Sequence, residues 1–126
     1  MNSTATSELA TTRSNLLFDT RHVGRVEQLD FDFPRAFGTY EIVLPEDTDA
    51  TNQLIHAYIR YSVEACRLME TDDSDGSEWD RYQSEHEIKY IDLIESDDWW
   101  LDYGNRKVNI MVPNFCTGNE IVWVLN

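Results

Sequence analysis

The amino-acid sequence predicts an α+β domain: a mainly antiparallel sheet of five or six strands with one long helix, at about 51–70, packed on one face. Three observations predict it. Short segments of alternating apolar residues stand at both ends of the chain, and one central stretch repeats apolar residues every three or four positions. Gly104-Asn105 separates two of the alternating segments by the length of a tight hairpin turn.

The elements follow in order. Residues 1–14 are rich in Ser and Thr and lack apolar periodicity, so they are read as a flexible N-terminal arm, leaving 15–126 as a single domain. From Arg25 to Phe33, Leu29, Phe31 and Phe33 alternate with Asp30 and Asp32. From Thr39 to Leu44, Tyr40, Ile42 and Leu44 alternate likewise. Pro34 and Gly38 bracket the connection, and the two strands are expected to pair antiparallel.

Pro45 ends the second strand, and Glu46-Asp47-Thr48-Asp49 offers N-cap residues and first-turn acids for a helix. Leu54, Tyr58, Tyr61, Ala65 and Leu68 then form its apolar stripe, with Ile55, Ile59, Cys66 and Met69 beside them. A short second helix is expected at about 78–86, capped by Ser77. The segment Glu87 to Ile94 has two readings. Its isoleucines favour a strand, the reading preferred here, whereas Trp79, Tyr82, His86 and Tyr90 make a helical stripe.

Asp98–Tyr103 and Arg106–Val112 are strands joined at Gly104-Asn105, Asn114–Asn119 is a turn, and Glu120–Leu125 is a last strand. The predicted order is ββα(α)ββββ. A two-residue connection sets Tyr103 against Arg106, Asp102 against Lys107, Leu101 against Val108, Trp100 against Asn109 and Trp99 against Ile110. Trp99, Leu101, Tyr103, Val108, Ile110 and Val112 then share the core face. Trp100, Asp98, Asp102, Lys107, Asn109 and Met111 share the other face, with Asp102 and Lys107 as an opposed charge pair.

Charge directs the functional reading. The chain carries a net charge of -14, and residues 70–102 hold thirteen Asp and Glu against Arg81 and Lys89. That field opposes nucleic-acid binding, because phosphate contacts supply most of such affinity. It can steer a basic partner instead. A tryptophan rimmed by acids has the composition of an interface anchor.

The sequence therefore predicts a non-enzymatic acidic protein-binding module, such as an inhibitor or immunity-type partner of a basic protein. Trp100, Asp97, Asp98, Asp102 and Met111 are its contact residues. The alternatives are a homo-oligomeric structural module, in which the non-core sheet face pairs with itself as a homodimer, and a small enzyme or ligand-binding domain with an acid-lined pocket.

Other motifs carry little. Thr71-Asp72-Asp73-Ser74-Asp75-Gly76 places Asp73 and Asp75 as in a calcium loop but lacks the acidic first position and the closing glutamate, so these two are weak metal candidates only. His86-Glu87-Ile88-Lys89-Tyr90 departs from HExxH at its last position. His56 is expected on the polar side of the long helix. No cofactor motif occurs: GxSxG, GxGxxG and GxxxxGK[ST] are all absent. Two cysteines outside any metal-ligand spacing, and no apolar run near twenty residues, predict a cytoplasmic protein without a membrane span.

Overall fold

Gly38 sits where two paired strands approach closely: a Cβ built on it would lie 2.2 Å from the Glu27 carbonyl oxygen, so only glycine fits there. The computed structural model containing this pair describes residues 12–71 and 76–126. Along the chain come β1 (Thr12–Phe18), β2 (Arg21–Asp32) and β3 (Arg35–Ile42), then helix α1 (Ala50–Thr71) and helix α2 (Ser77–His86). A 3-10 turn (Glu87–Tyr90), a short helix α3 (Ile91–Ile94) and β4 (Trp99–Asp102), β5 (Lys107–Ile110), β6 (Asn114–Phe115) and β7 (Glu120–Val124) complete it. The seven strands form one antiparallel sheet in the order β5-β4-β1-β2-β3-β7-β6.

The α+β class and the antiparallel sheet agree with the sequence reading, but the strand count is seven. β1 and β6 are additional, and 87–94 is helical. Thr12–Ser14 belong to β1, so the arm boundary drawn at 14 falls too late, and residues 1–11 lie outside the described residues. β1 is an interior strand, between β4 and β2, yet only Ser14 and Leu16 on it are buried. Asp32 opposes Arg35, so the β2–β3 connection is Phe33-Pro34 alone, and Gly38 lies inside β3 rather than at the edge of a loop.

Asp49 caps α1: its Oδ1 accepts the Asn52 amide at 3.0 Å and lies 3.3 Å from the Arg21 guanidinium. The capping hydrogen bond, then Arg21, hold its carboxyl below the usual range. Ile55, Tyr58, Ile59, Tyr61 and Ala65 bury the helix's apolar face. Asn52 and Ser62 are also buried, and both are satisfied by hydrogen bonds, whereas Met69 is exposed. His56 is not on the solvent side. Its ring is held between the Leu44 carbonyl, 2.8 Å from Nε2, and Glu46, 3.9 Å from Nδ1.

The 87–94 segment coils because tertiary packing outweighs the β preference of isoleucine. Tyr82 and Tyr90 stack on Tyr61 with ring centroids 5.6 and 5.0 Å away, and Leu93 is buried, while Ile88 stays 70% exposed. The α2 N-cap is Gly76, with positive φ, and Ser77 is already helical.

The β4–β5 register matches the sequence reading pair for pair, from Trp99 opposite Ile110 to Asp102 opposite Lys107. At the turn Tyr103 N–H donates to the Arg106 carbonyl at 2.9 Å, and Gly104 takes positive φ while Asn105 does not. Beyond β5 the Met111 amide donates to Val124 O at 2.9 Å and Ile110 bridges Leu125, so the sheet curls and its two ends meet. Trp99, Leu101 and Ile110 are buried in one core with Leu16, Ile55, Phe115 and Trp123.

Candidate functional site

The parity of β4 sorts its two tryptophans. Trp99 is fully buried, its ring 4.9 Å from Phe18 and its Nε1–H donating to the Leu93 carbonyl at 2.9 Å. That bond ties the α3 turn to the sheet. Trp100 points the other way, between Leu17 of β1 and Asn109 of β5, and is half-buried.

The backbone beneath this tryptophan is tightly held. Asn109 Nδ2 donates to the carbonyls of Asp97 at 2.7 Å and Trp99 at 2.9 Å. Asp98 donates its amide to Ser96 Oγ at 3.0 Å and accepts the Asp19 amide at 2.8 Å. These bonds leave the side chains of Asp97 and Asp98 exposed, and neither carboxylate hydrogen-bonds or ion-pairs with a described residue.

Asp102 behaves differently. Its Oδ1 accepts the Gly104 amide at 2.8 Å, an Asx turn that closes the hairpin, and it forms no ion pair with Lys107 although the two are directly opposed. Asp102 therefore stabilises the turn. Met111, 52% exposed, lies just past the end of β5.

The wider field comes from one region. Glu78, Asp80 and Glu85 on α2, and Glu87, Asp92, Glu95, Asp97 and Asp98 between it and β4, are all exposed. The acidic lobe thus leads directly into the strand that carries Trp100.

Comparison with protein-family models, with curated proteins and with solved structures finds no match. The chemistry has to be read from the geometry.

Among the described residues no group of three His, Cys, Asp or Glu is placed to hold a metal ion, and Asp73 and Asp75 lie outside those residues. His86 packs its ring 4.5 Å from Tyr82, with Nδ1 3.2 Å from Lys89 Nζ. His22 Nε2 lies 3.1 Å from the Gly24 carbonyl. Among the described residues two carboxyl groups are displaced, Asp49 by its capping bond and Glu64 by the hydrogen bond from Arg67. Both shift downward, opposite to a carboxyl kept protonated for acid catalysis. No helix among the described residues is long and apolar enough to cross a membrane.

Sequence reasoning missed one feature, a cleft between the helices and the β3–β7 end of the sheet that contains both cysteines. Its lining is largely apolar, and Glu87 is the one carboxylate among its described lining residues.

Proposed function

We propose that this protein is a non-enzymatic acidic binding module for a basic protein partner, acting as an inhibitor or immunity-type protein. The observation that carries the reading is the half-buried Trp100 on the sheet face opposite Trp99, next to the unpaired carboxylates of Asp97 and Asp98. A partner that covered Trp100 would desolvate its ring, and its cations would meet carboxylates that owe nothing to the fold. The exposed acids from Glu78 to Asp98 would raise the encounter rate at low salt. Asp102, tied to Gly104, serves this surface by shaping the hairpin.

The test is affinity capture at low and high salt with the wild type and Trp100→Ala, followed by binding kinetics with the basic protein retained. Trp100→Ala is expected to weaken the complex by more than about 2 kcal/mol, and Asp97→Asn to slow association in low salt only. Equal losses at every salt concentration overturn the reading.

Self-association is a second reading, favoured by apolar exposure elsewhere. Phe33 is 79% exposed at the β2–β3 turn, beside exposed Leu29 and Phe31. Sedimentation decides it, because a monomer at micromolar concentration excludes a stable homodimer.

A further inference from the structure

The cleft between the helices and the sheet has a volume of about 520 Å³, within the size range of small-molecule sites. Phe37 opposes Val122 and Arg35 opposes Val124, so these four side chains form one patch on the same side of β3 and β7. Tyr61 of α1 and Trp79 of α2 contribute to the helical wall. The result is an apolar slot with a guanidinium at the β2–β3 end of its sheet wall.

That guanidinium is the informative group. Arg13, Arg21, Arg25, Arg60 and Arg67 each hold a carboxylate within 3.3 Å, as expected in a chain with 24 acids and 10 bases. Arg35 lines the cleft, and its guanidinium makes no hydrogen bond or ion pair with any described residue. A guanidinium beside apolar surface suits a carboxylate, which it can hold through two parallel N–H···O bonds. Glu87 lines the cleft from the helical side, and its charge would repel an anion from that wall, leaving Arg35 as the favourable end.

We propose that this cleft binds a small amphiphilic carboxylate, with its aliphatic or aryl body between Trp79 and Val122 and its carboxylate on Arg35. The site is distinct from the Trp100 surface and does not depend on that surface's role.

Decanoate and decan-1-ol, which share a chain and differ in the anion, test it by calorimetric titration of the full-length protein. Decanoate is expected to bind one-to-one and at least tenfold more tightly than decanol. Arg35→Gln should remove that preference and leave decanol binding in place, and Glu87→Gln should tighten decanoate binding alone. Val122→Trp, which fills the slot, should abolish both. Trp100→Ala should change none of them, so failure here and failure of the proposed protein contact are separable. Arg35 is exposed, so its replacement keeps the test valid even if Val122→Trp does not fold. Absence of saturable binding to the wild type, equal affinity for acid and alcohol, or a preference that survives Arg35→Gln would overturn the proposal.

Discussion

Ser62 exchanges two hydrogen bonds with the backbone of Phe115: its hydroxyl donates to the carbonyl at 3.0 Å and accepts the amide at 2.8 Å. β6 is the last strand of the sheet, and on its outer side the Phe115 peptide groups point at α1 instead of at another strand. One helical side chain thus does the work of a neighbouring strand and covers a sheet edge that would otherwise be open. Ser62→Ala would leave both buried backbone groups without their partner. Urea denaturation should show a loss of about 2–3 kcal/mol, given roughly 1–3 kcal/mol for each unsatisfied buried group. A loss below about 0.5 kcal/mol would mean that α1 and β6 are held by apolar packing alone.

The two tryptophans of β4 should separate cleanly by mutation. Trp99→Ala removes a fully buried indole and its bond to Leu93, and should cost about 3–5 kcal/mol of stability. Trp100→Ala removes a half-exposed ring and should cost about 1 kcal/mol or less in the isolated protein. Thermal or urea unfolding of both variants checks the contrast. Similar losses would place Trp100 in the fold's interior economy and remove its availability to a partner.

The fold was legible in the sequence wherever local pattern and tertiary packing agree. Around Gly104 a short connection and strong alternation leave one register, and the structure has that register. β1 was illegible because it buries only Ser14 and Leu16, while Arg13 and Asn15 on its other face read as loop. It is held by backbone pairing on both sides, which no side-chain pattern records. β6 is two residues long and depends on Ser62, far away in sequence. In 87–94 two local signals conflicted, and the stack of Tyr82 and Tyr90 on Tyr61 decided between them. The Trp100 surface followed from parity. The turn role of Asp102 was within reach, since an Asp two residues before Gly104 is a known Asx-turn arrangement. The cleft was not, because Arg35, Trp79 and Val122 line it from three elements far apart in the sequence.

Glycine 38 should tolerate no side chain. The Cβ of Gly38→Ala would overlap the Glu27 carbonyl oxygen, a backbone atom in the paired strand that cannot rotate away. Relief requires β2 and β3 to move apart in the middle of the sheet, at a cost of about 3 kcal/mol, the upper part of the range for overpacking. A Gly76→Ala variant is a useful comparison: its Cβ meets no described residue within 4 Å, and φ there is positive. Denaturation midpoints should rank Gly38→Ala well below Gly76→Ala, and the reverse order would contradict the close strand approach.

Alkaline pH should expose the cleft cysteines. Burial, followed by the adjoining Cys66 thiol and the charges of Glu70 and Glu120, pushes the Cys116 thiol up to about 12. Its folded-state pKa therefore exceeds the unfolded value of about 8.5. For a group raised in this direction the stabilisation is complete below the unfolded pKa and is lost as pH climbs toward the folded one. Wild-type stability should begin to fall near pH 8.5, before the tyrosines Tyr40 and Tyr58, also raised by burial, contribute above about pH 10. Cys116→Ser should flatten the slope between about pH 8.5 and 10, measured by urea denaturation across that range. In the wild type, iodoacetamide labelling of Cys116, followed by peptide mass mapping, should keep accelerating up to about pH 11 rather than levelling near 9. An early plateau would show that the thiolate is tolerated in the cleft, and so that water or a cation reaches it.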